Sequence, residues 1–331
     1  MDVLSDVLSA VRLTGAIFFD NTFHDPWVAE TPRASVIASS VMPQSQYVFS
    51  FHTLLEGSCW AEMIDGSAEP LRLNAGDIII FPLDDAHAFC SAIGMRAKPN
   101  LAVYIRPADH QLPYILNEGS GPDACRFICG YLGCDIRPYN PFIKALPRIL
   151  HGKSTANGWL SHLVQHAVAE SEQHEAGGET VRAKLAELMF VQVLREYARE
   201  LPKGSRGWLS GLRDPQIGQA LHLIHAHPAQ DWTIESLASA VGMSRSVFAK
   251  RFTHFTCDSP MHYVGKWRMQ LAARRLENPL VSIAQAAVEV GYESEAAFNR
   301  AFKKLMGIPP GTWRRSNNGG EPTTAAPAPH F

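Results

Sequence analysis

The sequence predicts a two-domain α+β chain. An N-terminal β-barrel with flanking helices is followed by an all-α domain in which two helix-turn-helix units are joined by a linker helix. Three observations carry this prediction. The chain has 331 residues, more than one ordinary core accommodates. Strand-like segments bounded by turn residues occupy residues 47 to 105, whereas helical periods take over from Pro141. Near the C-terminus, one segment recurs about 50 residues later.

Composition sets the outer bounds. Hydrophobic content is 46% and charged content 19%, ordinary for a globular protein. No apolar run approaches the roughly 18 residues that span a bilayer. The first residues, Met1-Asp2-Val3-Leu4-Ser5-Asp6, carry acids where a signal peptide has Lys or Arg. The expectation is a soluble, cytoplasmic chain with no membrane partner. The 6 cysteines are too few for a disulfide framework, and in a reducing compartment they are free thiols, metal ligands or redox sensors. The net charge of −2 conceals an asymmetry: Asp214 to Ser316 holds 12 Lys+Arg against 8 Asp+Glu, and the remainder 18 against 24. A basic C-terminal third suits a polyanion-binding module. Its excess is too modest for a nucleoid scaffold.

In the first half, the expected strands are Tyr47–Leu55, Cys59–Ile64, Leu71–Leu73, Ile78–Phe81 and Leu101–Ile105. The turns between them include Glu56-Gly57-Ser58, Asp65-Gly66-Ser67 and Asn74-Ala75-Gly76-Asp77. Such spacing suits a sandwich or small barrel. Helical spacing follows in Phe142, Ile143, Leu146, Ile149 and Leu150, then in Leu160–Ala167 and Leu185–Tyr197. Leu201 to Gly207 is the clearest linker. The expected domains are thus 1–200, a linker 201–213, 214–315, and a disordered tail 316–331.

The repeat aligns Thr233–Phe252 with Ser282–Phe302. Thr233 and Ser282 are placed as N-caps, and Gln285 completes a capping box only in the second copy. Small Ala238 and Ala287 permit a close helix crossing, and Gly242 and Gly291 supply the positive φ that ends the first helix. Ser244 and Ser294 cap a second helix, which Phe248/Phe252 and Phe298/Phe302 lock to the first. This is a helix-turn-helix, whose second helix enters a major groove. One such unit also describes a plain helical hairpin; two with matched caps, glycines and phenylalanines point to DNA.

On these residues the segment from about Asp214 to Arg315 resembles the DNA-binding domain of AraC/XylS-type regulators. Pro260–Leu276 stands where those proteins have their linker helix, and Gly307–Arg315 is similar to their terminal signature. The resemblance implies base-facing positions at Arg245, Ser246, Ala249 and Lys250, and at Glu295, Ala296, Asn299 and Arg300. Lys250 and Arg300 suit guanine and Asn299 suits adenine. Arg251, Lys303 and Lys304 are expected on phosphate. Ala249 and Ala296 depart from the long polar residues common in relatives, so base specificity does not follow.

The run GDIIIFPLDDAH, Gly76 to His87, resembles the second motif of cupin barrels, and Phe51–Trp60 (FHTLLEGSCW) resembles the hairpin of the first. The paired histidines of cupin enzymes are missing before it. Regulators of this kind carry a cupin-like sensor, and the resemblance extends over roughly Asp6 to Pro138, including the CGY segment at Cys129. His52, His87 and Cys129 are expected to approach one another, with Cys59 or Cys125 as fourth ligand to a structural zinc. If Cys59 pairs near Leu54, it shares a face with His52. Three readings of the barrel remain open: a metal site, a thiol switch that could include Cys90 or Cys134, and a pocket for an apolar effector.

The function expected is a non-enzymatic, sequence-specific transcription regulator. The alternative is a cupin-type metal enzyme fused to a DNA-binding domain, which needs an open site with about three His or Glu ligands. The partners implied are double-stranded DNA, a second copy of the chain paired through helices in Pro141–Leu201, RNA polymerase and an unidentified effector.

Overall fold

Alternating apolar residues in the first half build two facing sheets. The computed structural model describes residues 2–105, 112–135, 143–153, 158–173 and 175–317. The first helix, α1, is Val3–Ala10; the strands that follow are β1 (Thr14–His24), β2 (Val28–Thr31), β3 (Tyr47–Glu56), β4 (Ser58–Met63), β5 (Leu71–Asn74), β6 (Ile78–Phe81), β7 (His87–Cys90), β8 (Tyr114–Glu118), β9 (Ala124–Cys134) and β10 (Leu150–Gly152). A helix α2 (Ala34–Val41) lies between β2 and β3. One sheet runs β10-β6-β3-β9-β1-β8, the other β2-β7-β4-β5. All ladders are antiparallel except β1 with β8. Phe19, Leu54, Phe81 and Phe127 of the first sheet and Cys59, Met63, Leu73 and Phe89 of the second share one buried core. Two stacked sheets with this alternation form the expected barrel.

Several expectations need correction. Leu101–Tyr104 is a 3-10 turn, not a strand. Asn100 caps it by accepting from the Ala102 N–H at 3.1 Å, and the turn buries Tyr104. The helix expected from Phe142 to Leu150 is a 3-10 turn, Ile143–Ala145, followed by β10. Phe142 itself lies outside the described residues. Pro147 interrupts the helical run, and Leu150 instead pairs with Ile80 on the free edge of β6. Nor does Cys59 pair near Leu54: it sits opposite Leu73, because β4 leaves the sheet that contains β3. Gly57, at φ +78°, makes that change of direction.

Two helices complete this unit, α3 (Trp159–Gln173) and α4 (Gly178–Glu200), both at positions expected from their periodicity. They pack on each other, and α4 lies along β1. Gly15 allows that approach, since a Cβ there would stand 2.8 Å from Ala186 Cβ.

The second unit contains α5 (Trp208–Arg213), α6 (Pro215–Ala226), α7 (Ile234–Ala240), α8 (Arg245–Thr256), α9 (Pro260–Leu276), α10 (Ile283–Glu289), α11 (Glu295–Met306) and α12 (Pro310–Asn317). The last six residues of the expected linker are therefore helical. Trp208 is buried there and donates to the Tyr263 hydroxyl at 3.0 Å. The expected end at Arg315 falls short of the end of α12; the rest of the expected tail, from residue 318, lies outside the described residues.

A second boundary also moves. Residues Met1–Val11 group with this helical unit, and the barrel unit is Arg12–Asp135 with Leu146–Leu201. The reason is the apolar face of α1: Val3, Val7 and Ala10 are buried, and the helix packs on α6 and α9. Gln270 donates to the Ala10 carbonyl at 3.0 Å, and Arg274 to that of Ser9 at 3.1 Å.

Candidate nucleic-acid interface and barrel cavity

Each helix-turn-helix forms for the local reasons its sequence suggests. Gly242 and Gly291 have φ of +67° and +84°. At Gly291 a Cβ would come within 2.5 Å of the Ala229 carbonyl. The rings of Phe248 and Phe252, and of Phe298 and Phe302, lie 5.5 and 5.4 Å apart, all fully buried. Both copies have a capping box, not only the second. The Ser236 hydroxyl accepts from the Thr233 N–H at 2.9 Å, doing what the Gln285 amide oxygen does for Ser282. Ser294 caps α11 through the Ala297 N–H, but Ser244 occupies the N-cap of α8 without such a bond.

The expected base-facing residues lie on the two second helices, α8 and α11. Arg245, Ser246, Lys250, Glu295, Ala296 and Arg300 are exposed; Ala249 and Asn299 are half-buried. Arg245 pairs with Glu235 at 2.7 Å across an exposed surface. Lys303 and Lys304 are exposed in the last turn of α11. Asn299 Oδ1 is buried with no hydrogen-bond partner among the described residues. Arg251 differs from expectation, because its half-buried side chain is committed to partners within the same unit. It donates to Asp214 at 2.5 Å and to Gln216 Oε1 at 2.9 Å.

Two residues that the sequence reading missed hold the pair of units in place. Arg268, on α9, donates to the Pro228 and Gln230 carbonyls of the first unit at 2.7 and 2.8 Å. Its guanidinium also lies 5.8 Å from the Tyr292 ring of the second. Asp214 caps α6 through the Gln216 and Ile217 N–H groups. An arginine in a helix carries no sequence signal for such a role, whereas Asp214 before Pro215 is the pattern of a helix start, read from the sequence only as a domain boundary.

In the barrel unit, a cavity of about 320 Å³ opens among Phe19, Phe23, Phe89, Phe127, Tyr104 and Tyr131. His52, Asn21 and Cys129 also line it, and exposed Lys98, Asn100 and Glu118 edge it. His52 stands opposite Cys129 on paired strands β3 and β9, as expected for approach. His52 and His87 meet Nε2 to Nε2 at 2.9 Å, and His87 Nδ1 lies 2.9 Å from the Asp85 carbonyl. His87 stacks on Phe81 with centroids 3.6 Å apart. Burial lowers both imidazoles, His87 to about 4 despite the Asp85 carbonyl, and His52 well below its ordinary value with His87 adding to the effect. Both rings are neutral at pH 7. Asn21 Nδ2 donates weakly to Cys129 Sγ at 3.9 Å.

The five expected metal ligands do not converge. Cys125 donates to the Ser58 carbonyl at 3.2 Å, and Cys59 stands opposite Leu73 in the other sheet. No group of three or more His, Cys, Asp or Glu among the described residues has the arrangement to hold a metal. The side chains as placed do not fit a closed four-ligand zinc site. Burial also raises the thiols of Cys59, Cys125 and Cys129, so they stand as protonated thiols, not thiolates.

Comparison with known proteins agrees with both halves. A family model described as Cupin matches residues 2–199, and one described as Helix-turn-helix domain matches residues 237–316. The chain is 30% identical over 322 residues to a putative AraC-like transcription regulator of Streptomyces antibioticus, covering 95% of this chain and 99% of that protein. It is 32% identical over 327 residues to a putative AraC-like transcription regulator of Streptomyces lividans, covering 95% and 98%. It is 28% identical over 270 residues to the HTH-type transcriptional regulator AlkR of Acinetobacter baylyi, covering 80% and 87%. With the duplicated helix-turn-helix and the two-sheet barrel in place, this chain belongs to the AraC-type transcription regulators that carry an N-terminal cupin domain.

Proposed function

We propose that the protein binds a bipartite DNA site through α8 and α11 and that a small molecule held in the barrel cavity controls this binding or the activation that follows. The observation that carries the DNA half is the pairing of two exposed reading surfaces on one rigid helix. Lys250 and Arg300 project from equivalent helices with no internal ion pair among the described residues, and Arg268 ties both turns to α9. Asn299, half-buried on α11, carries the amide that suits adenine. For the barrel, a cavity ringed by aromatic side chains with a few polar groups is the usual form of a small-molecule site. In this reading the barrel is a sensor, and its two histidines bond to each other.

A second copy of the chain is the proposed protein partner. Val181 and Leu188 are exposed on one face of α4, with half-buried Leu185 between them. RNA polymerase is the further partner this reading carries, and the cytoplasm its compartment. Among the described residues, no helix is long and apolar enough to cross a membrane.

The test is selection of bound sequences from random duplex DNA by the full-length protein, followed by footprinting. Two protected half-sites about 10–10.5 bp apart are expected. Binding without sequence preference, or a single protected half-site, would overturn the reading.

A further inference from the structure

The hydrogen bonds of the histidine pair fix the tautomers of both rings. The Asp85 carbonyl only accepts, so His87 Nδ1 carries the proton of that bond. With the ring neutral, His87 Nε2 is then a bare acceptor. The 2.9 Å contact therefore requires His52 Nε2–H to donate to it. His52 is neutral as well, which leaves its Nδ1 as a lone pair. That atom is buried and has no partner among the described residues, and His52 is only 4% exposed.

Asn21, 8% exposed and lining the same cavity, is in a similar state. Its Nδ2 is directed to Cys129 Sγ, and its Oδ1 is buried without a partner. A buried acceptor left unsatisfied costs about 1–3 kcal/mol. Here the two belong to residues that line one aromatic-walled space.

We propose that this cavity binds a neutral aromatic molecule bearing a hydroxyl group, whose O–H donates to His52 Nδ1 with Asn21 Oδ1 as the neighbouring acceptor. This rests on the reading of the cavity as the effector site and specifies the ligand's chemistry. A carboxylate is disfavoured, because it would set its own lone pairs against those of His52 and Asn21. A cation finds no charged partner beside His52 and Asn21: of the carboxylates that line the cavity, Glu118 is exposed at the edge and half-buried Glu30 accepts from the Ala97 N–H at 3.0 Å. The rings of Phe19, Phe23, Phe89 and Phe127 supply the flat apolar surface on which an aromatic ligand stacks.

The full-length protein is titrated calorimetrically with four probes of one shape: 2-naphthol, naphthalene, 2-methoxynaphthalene and 2-naphthoate. 2-Naphthol is expected to bind about tenfold more tightly than naphthalene or the methyl ether, as one buried hydrogen bond implies, with naphthoate weakest. In His52→Phe that preference should fall to near unity while naphthalene still binds. Two-bond 1H–15N spectra of the wild type at pH 7 should show His87 as the Nδ1–H and His52 as the Nε2–H tautomer, independently of how any variant folds. Equal binding of naphthol and its ether, tightest binding of naphthoate, or the opposite tautomers would overturn the inference yet leave the cavity an effector site. Binding of none of the four would overturn the effector reading itself. One equivalent of zinc in the purified protein, lost in His52→Ala, would make these nitrogens ligands and overturn both.

Discussion

Arg251, in the first recognition helix, donates to Asp214, the residue that caps α6. One carboxylate thereby closes the start of α6 and fixes the rotation of α8. Asp214→Ala removes the cap and frees the guanidinium. It is expected to destabilise the helical unit by about 1–2 kcal/mol in urea unfolding. Arg251 is 40% exposed in its side chain, so its own ion pair contributes only a fraction of this.

That placement separates Arg251 from its neighbour in function. Lys250→Ala and Arg300→Ala should each weaken binding to the selected site by about 1–3 kcal/mol and relax specificity at one position. Their urea midpoints should match wild type. Asn299→Ala should relax preference at an adenine. Arg251→Ala should instead lower the midpoint and leave the base preferences alone. Competition binding with single-base variants of the site reads all four, and unchanged affinity in both Lys250→Ala and Arg300→Ala would show that these helices do not read bases.

The buried histidines make stability depend on pH. His87 titrates at about 4 in the folded protein, because burial disfavours the imidazolium, against 6.5 in the unfolded chain. Between those values the unfolded chain binds a proton that the folded one refuses. Stability is therefore full above about pH 6.5 and declines as the pH falls toward 4, by about 3 kcal/mol from His87 alone. His52 acts in the same direction. So does His225, where burial outweighs the opposing Asp6. Urea midpoints at pH 7.5 and 5.0 measure this; equal midpoints would mean that the imidazoles are not buried as neutral rings.

Thiol reactivity follows exposure. Cys257 is exposed in the left-handed turn that ends α8, at φ +59°, whereas the other five cysteines are buried. Burial also raises the thiols of Cys59, Cys125 and Cys129, and that of Cys90 to about 11 with Glu62 adding to it. Ellman's reagent should find one fast thiol in the native protein and none in Cys257→Ser. A second fast thiol would reopen the reading of the barrel as a redox switch.

The α4 face gives a test of assembly. Leu188→Glu places a charge on an exposed apolar stripe and should convert a dimer to a monomer at micromolar concentration by light scattering, with its melting temperature little changed. A monomeric wild type with and without DNA would show that the face pairs with something other than a second copy.

The two helix-turn-helix units were legible because each depends on near neighbours. Thr233, Gly242, Phe248 and Phe252 act within about twenty residues of one another, and the limits expected for α9, Pro260 and Leu276, are the observed ones. Helical spacing likewise placed α3 and α4. Local pattern failed where partners lie far apart in the chain. β1, β8, β9 and β10 form by pairing with distant strands, and Leu150 becomes a strand residue only because β6 offers an edge. The contact of His52 with His87 was half visible, in the cupin-like motif and the hairpin before it. That Cys59 faces Leu73 instead of joining them was not, because a turn at Gly57 decides which sheet β4 enters. The sequence alone thus determined two domains and a duplicated helix-turn-helix, since caps, glycines and helical periods are short-range devices. Only the tertiary structure decided that Arg251 is a brace within the fold, that α1 belongs to the helical unit, and that His52 and Asn21 bring unpaired acceptors to the residues of one cavity, because burial and pairing join segments far apart in the chain, 37 residues for Asp214 with Arg251, 108 for Asn21 with Cys129 and 260 for Ala10 with Gln270.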